Sequence, residues 1–191
     1  MEKTNNNIPS AEELAIYIKE ATVSVNTKYE QSPVVLMVDD SIIGTLGTFN
    51  VSAIAASALA NSTVLHYRSS FPENKRTILY IDTEQGEPHC QKVLQRILCL
   101  AGLPKNADSD NLIMLGLRKY SPEMRLAIVE QAIGTIPNLG LVIIDGIRDF
   151  MYDINSPNEA TNIISKFMQW TDDRQIHIHT ILHQNKNDEH A

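Results

Sequence analysis

Four short strand-like runs alternating with helical patterns constrain this chain more than any single motif does. Thr77–Asp82, Leu112–Leu117, Leu139–Ile144 and Ile176–Leu182 read as strands, and Leu139–Ile144 is the most apolar of them. Strands that are apolar at nearly every position, rather than at alternate ones, are buried on both faces. Between them, Pro88–Ala101 has a helical pattern, and Ser121–Ile136 opens with Ser121 as N-cap and Pro122 at the first helical position. Ser156 and Glu159 form a capping-box pattern ahead of Ala160, Ile163, Ile164 and Phe167. The expected fold class is therefore α/β, a mostly parallel central sheet with helices on both faces.

Upstream, Ser10 and Glu13 make another capping-box pattern before Leu14, Tyr17, Ile18 and Ala21, so residues 10 to about 24 read as an amphipathic helix. Val34–Val38 is a short apolar run ending in Asp39-Asp40, and Ile42–Val51 reads as a strand broken by Gly44 and Gly47. These two runs are expected to form a hairpin leading into the core. The Ala-rich stretch Ser52–Ala60 is expected to be a helix whose small side chains permit close packing on a sheet. Arg68–Asn74 reads as a surface loop and Asn185–Ala191 as a polar tail. The organisation expected is an N-terminal helix and linker over residues 1–32 and one α/β core over 33–191, since 191 residues with 43% hydrophobic content can bury a sizeable core.

No stretch approaches the ~18–20 apolar residues of a membrane span, and the N-terminus lacks a signal-peptide core, so a soluble cytoplasmic protein without a membrane partner is expected. Cys90 and Cys99 lie nine apart on one helix, on opposite faces, and fit a reducing compartment as small apolar residues. A net charge of −7 argues against broad attraction to nucleic acid and leaves room only for a local basic groove. The adjacent basic pairs, Lys75-Arg76 and Arg118-Lys119, read as solvated turn residues.

Ligands of open parallel sheets sit beyond the carboxyl ends of the strands. The residues leaving the strands here are Asp82-Thr83-Glu84-Gln85, Asp145-Gly146-Ile147-Arg148-Asp149 and His183-Gln184-Asn185-Lys186. Four apolar residues, Leu141–Ile144, followed by Asp145 form a Walker B pattern, in which the carboxylate holds Mg²⁺ directly or through water beside a nucleotide's phosphates. A strand-ending Asp that caps the next turn has the same local pattern. Glu84, two residues after Asp82, stands where a carboxylate could orient or deprotonate water attacking a γ-phosphate. His183 and Gln184 would put neutral donors near that phosphate, and Arg148 and Lys186 could contact phosphate or a neighbouring subunit's nucleotide.

ILYIDTEQ, LVIIDGIRD and ILHQNK, in this order and spacing, resemble the second-strand acidic motif, Walker B and sensor strand of RecA-like P-loop ATPases. More closely, the stretch from about Pro33 to Lys186 resembles the AAA-family ATPases of Bacteroidetes mobilisable elements, the mobilisation and transposon accessory proteins. It is more distantly similar to RepA-type hexameric plasmid helicases. The resemblance implies a RecA-like P-loop NTPase fold, ATP and Mg²⁺ as ligands, and ATP hydrolysis. It makes Glu84 the catalytic glutamate, Asp145 the Mg²⁺ ligand, and His183 with Gln184 the sensor. It also implies DNA and mobilisation or replication proteins as partners, and assembly with further copies of the chain.

Relatives carry a loop of the type GxxxxGK(S/T) between the strand matching Gly47–Asn50 and the helix matching Ser52–Ala60, whereas here GTFN runs directly into VSAIAAS. The resemblance thus places the phosphate site at Asn50, Val51 and Ser52, and implies a loop of about ten or more residues that is lacking between Asn50 and Val51. It also implies a further C-terminal part beyond Ala191.

Two alternatives remain open on the residues alone. The chain could be a RecA-like scaffold without a phosphate-binding loop, acting through protein contacts. VVLMVDDS also resembles the acidic pair of a receiver-type regulatory module, although SIIGTLGTF does not read as the helix that should follow it. His177 and His179 share a strand face but lack a third zinc ligand at clear spacing, and Phe167 with Trp170 reads as core packing.

Overall fold

The computed structural model describes residues 8–28, 42–153 and 155–181. A four-stranded parallel sheet lies at its centre, built from β3 (Thr77–Asp82), β4 (Leu112–Gly116), β5 (Leu139–Asp145) and β6 (His177–Ile181), in the spatial order β4-β3-β5-β6. The helices are α1 (Ala11–Ala21), α2 (Ile42–Ala60), α3 (Glu87–Leu100), α4 (Pro122–Thr135) and α5 (Pro157–Arg174). A two-stranded hairpin, β1 (Thr63–Val64) with β2 (Tyr67–Arg68), follows α2. The α/β expectation therefore holds at the level of a parallel sheet flanked by helices.

The pleat of each strand feeds two cores. Leu79 and Ile81 of β3 and Val142 and Ile144 of β5 join residues of α1, α4 and α5 in one cluster. Their neighbours Ile78 and Tyr80, Leu141 and Ile143, join α2 and α3 in the other. Every residue of β3 and β5 is buried, which is why both runs read as almost continuously apolar.

Helix starts follow local chemistry. At α1, Ser10 Oγ accepts from the Glu13 N–H and Glu13 returns a bond to the Ser10 N–H, a complete capping box. Ser121 and Ser156 cap α4 and α5, each with Pro at the first position. The second expected capping box is only half made. Ser156 Oγ accepts from the Glu159 N–H, but the Glu159 carboxylate accepts instead from the Tyr152 N–H at 2.8 Å, tying down the loop before α5.

Helix α1 is part of the core, with Leu14 and Ala21 in the α4–α5 cluster. Beyond it Thr22 bridges Leu115, the Val23 N–H donates to the Met114 carbonyl, and Asp108 binds Ser24, Val25 and Asn26, so this segment covers the outer edge of β4. At α2, Arg76 reaches the Leu59 carbonyl, which places the end of that helix beside the amino end of β3.

One expectation is overturned. Ile42–Val51 is not a strand; it forms the first half of α2, which continues without a break to Ala60. Its five apolar residues, Ile42, Ile43, Leu46, Phe49 and Val51, are interrupted by Gly44 and Gly47, which punctuate a strand pattern and a helix pattern alike. The hairpin expected to lead into the core is therefore not formed by these residues, and its other arm, Val34–Val38 with Asp39 and Asp40, lies outside the described residues.

Candidate functional site

The carboxyl ends of the four strands form one row. Gly116, Asp82, Asp145 and Ile181 are successive register partners across β4, β3, β5 and β6. Neighbouring strands lie ~4.8 Å apart, so Asp82 and Asp145 stand side by side. Strand alternation places both on the side of Tyr80 and Ile143, beneath α2 and α3. Both are buried, Asp82 to 0% exposure and Asp145 to 2%.

Each carboxylate is held differently. Tyr80, two residues before Asp82 on the same strand face, donates its phenol to Asp145 Oδ2 at 3.1 Å. Asp82 Oδ1 accepts the backbone N–H groups of Glu84 at 3.0 Å and Gln85 at 2.8 Å. Its other oxygen, Oδ2, is buried without a hydrogen-bond partner among the described residues. Burial pushes the Asp82 carboxyl up to about 6, with repulsion from Asp145 adding to it. Burial also raises the Tyr80 phenol, reinforced by both carboxylates. The buried thiol of Cys90, on α3 in the same layer, is raised by burial and then by Asp82, so it is an inert packing group. The exposed Cys99 points the other way, as its spacing requires.

The turns after β3 and β5 are locked together. The Thr83 N–H donates to the Asp145 carbonyl at 3.1 Å, and Thr83 Oγ1 lies 3.0 Å from the carbonyl oxygens of both Asp145 and Gly146. Gly146 adopts φ 98, and a Cβ there would collide with Thr83 Oγ1 and lie 2.9 Å from Glu84 Cγ. Glu84 itself is exposed. The structure thus brings Glu84 to the Asp145–Gly146 turn, the pairing expected from the strand-end motifs.

Arg148 is half-buried on the 3₁₀ turn Ile147–Phe150 that follows Gly146. Arg125 of α4 braces this turn against the one after β4. Its guanidinium donates to the carbonyls of Asp149 at 2.6 Å, Arg118 at 2.9 Å and Leu117 at 3.1 Å. The sequence patterns give Tyr80 and Arg125 no role and name Thr83 only as a residue leaving β3. The period of two identifies Tyr80 as a companion of Asp82, whereas nothing local marks Arg125, whose partners are far apart in the chain.

The remaining expected site residues fall elsewhere. Asn50, Val51 and Ser52 are consecutive within α2, Asn50 exposed and the other two buried. Backbone N–H groups inside an α-helix are taken by carbonyls four residues back, so these positions do not form a phosphate cradle. His183, Gln184 and Lys186 lie outside the described residues. His177 is exposed and His179 half-buried on β6, where burial and then His177 lower the His179 pKa.

A hard divalent cation fits this donor set. Mg²⁺ takes oxygen ligands, uses one or two carboxylates, and completes its shell with water and phosphate. Asp145 offers oxygens of that kind, whereas Asp82 is 0% exposed and gives Oδ1 to two backbone N–H groups. Among the described residues no three His, Cys, Asp or Glu side chains are arranged to hold a metal, so the site does not resemble an all-protein cage. No described helix is long and apolar enough to cross a membrane.

Comparison with family models, curated proteins and solved structures gives no match to this chain.

Proposed function

We propose that the carboxyl edge of the sheet binds Mg²⁺-ATP and hydrolyses its γ-phosphate, in a RecA-like version of the α/β fold. The observation that carries this reading is the pairing of buried Asp82 and Asp145 at adjacent strand ends, with exposed Glu84 against Gly146 above them. Buried like charges at a strand-end turn cost stability and are hard to explain as packing.

Each residue has a distinct role in this proposal. Asp145, oriented by the Tyr80 phenol, would hold Mg²⁺, which when bound neutralises phosphate charge. Glu84 orients the attacking water and accepts its proton, a task suited to an exposed carboxylate beside the buried pair. Arg148 offers its guanidinium to phosphate oxygens or to a nucleotide on a neighbouring copy. His183 and Gln184 act as the sensor on the resemblance alone. DNA, mobilisation or replication proteins as partners, service to a mobile element, self-assembly and a cytoplasmic setting likewise rest on that resemblance, because a fold does not fix function.

A second reading has its own support. The unbroken run of α2 through Asn50 and Val51 supplies no phosphate loop, which favours a non-catalytic scaffold of the same fold.

Calorimetric titration with Mg²⁺-ATP and a phosphate-release assay separate the two. The ATPase reading expects Asp145→Asn to weaken binding about tenfold or more, and Glu84→Gln to cut turnover about 10³-fold with little change in affinity. A wild-type protein that neither binds nor turns over Mg²⁺-ATP leaves the scaffold. A natural protein heavier than 21.4 kDa by intact mass, with the excess mapped between Asn50 and Val51, would supply the loop the ATPase reading needs.

A further inference from the structure

We infer that Asp82 is a positioning residue, whose buried carboxylate sets the direction in which Glu84 leaves the sheet. This rests on the ATPase reading of Glu84 and extends it to a neighbour in the same motif that has been given no role. One oxygen, Asp82 Oδ1, receives two consecutive backbone N–H groups, from Glu84 and Gln85. Two donors converging on one acceptor bend the chain sharply just after β3, as an Asp side chain does when it caps its own turn.

The acceptor is itself immobile. Asp82 has 0% exposure and is the last residue of the central strand β3, paired with Gly116 on one side and Asp145 on the other. Its own carbonyl accepts the Leu117 N–H at 2.7 Å. Thr83 then stitches the turn to Asp145 and Gly146, so the backbone of Glu84 is fixed from both sides of its peptide. The result is an exposed residue whose Cγ rests against Gly146, the position that follows Asp145. A carboxylate that must place one water in line with a scissile bond loses about 10²-fold in rate for a displacement of about 1 Å.

A simple turn cap and a positioning residue make different kinetic predictions. Asp82→Asn keeps a carbonyl oxygen for both N–H groups while removing the charge. Asp82→Ala removes both, and Asp82→Leu fills the same space without an acceptor, which serves if the alanine variant folds poorly.

The test combines steady-state ATP hydrolysis with amide hydrogen exchange at Glu84 and Gln85, on the full chain. The acceptor-free variants should lose about 10²-fold in kcat with KM for Mg²⁺-ATP changed less than about threefold, and their two amides should exchange at least about tenfold faster. Asp82→Asn should restore kcat to within about threefold of wild type and restore the protection. Acceptor-free variants that turn over as fast as Asp82→Asn overturn the inference, as does an asparagine variant no faster than the leucine one. If wild-type protein or Glu84→Gln shows that Glu84 is not catalytic, the ATPase reading fails on its own. The exchange data then still decide: unchanged protection in Asp82→Leu removes the positioning role, and lost protection retains it for whatever group Glu84 serves.

Discussion

The two faces of the sheet are built by the same strands and do opposite jobs. Toward α1, α4 and α5 the strands present Leu79, Ile81, Val142 and Ile144, joined by Phe167 and Trp170 in a large apolar cluster. Toward α2 and α3 they present Ile78, Tyr80, Leu141 and Ile143 and then, one step further along, Asp82 and Asp145. Because a strand alternates faces at every residue, a single chain segment can carry a packing surface on one side and a chemical surface on the other. Large side chains fill the first layer, while α2 brings Ala55, Ala56 and Ala58 to the second. The lesson is that mutational effects should divide by face: stability on one, chemistry on the other.

Trp170→Ala gives the largest expected change on the packing side. Its ring is buried, lies 5.5 Å from the Phe167 centroid, and is covered by Lys166, so truncation should cost about 3–5 kcal/mol in denaturant unfolding. The affinity of the folded variant for Mg²⁺-ATP should stay within about threefold of wild type. A tenfold loss of affinity at a temperature where the variant is folded would break the division by face.

Asp82→Asn probes the other side through pH. The folded protein holds the Asp82 proton up to about 6, against 3.8 for the free side chain, so it binds that proton more tightly than the unfolded chain does. Stability from this group is therefore fully present below about pH 4 and is lost as pH rises to about 6, by roughly 3 kcal/mol in all. The asparagine variant lacks this loss. Its stability relative to wild type should rise by about that amount between pH 4 and 7, read from urea midpoints at each pH. A difference independent of pH would show that Asp82 is not strained by its burial beside Asp145.

The smallest expected effect lies away from both layers, at the start of α4. Ser121→Ala removes the side-chain acceptor for the Met124 N–H and should lower stability by about 1 kcal/mol, with turnover unchanged. Thermal melts and a phosphate-release assay check both halves. A change in turnover would mean that α4 transmits strain to the site through Arg125.

Much of this division could be read in advance. The strands of the central sheet and the helices α1, α3, α4 and α5 follow from apolar runs, caps and proline placement, and the strand-end carboxylates from the rule that ligands gather where parallel strands stop. What could not be read depended on context. Ile42–Val51, interrupted by Gly44 and Gly47, reads as a broken strand but is the continuous first half of α2. The hairpin between β1 and β2 turns at Leu65-His66 with Leu65 at φ 52, without the glycine or asparagine that usually marks such a turn. At the site, residue types were legible but contacts were not: the Tyr80 bond to Asp145 and the Arg125 brace join positions 65 and 24 apart in the chain.

Gly146 makes the tolerance of this arrangement very small. Alanine there would put one methyl group where the Thr83 hydroxyl and the Glu84 stem already meet. The two loops would have to part to make room, and no rotamer change could spare them, because the backbone itself sits in left-handed territory at that point. A hydrogen atom in place of a side chain is thus the clearance on which the whole acidic corner closes.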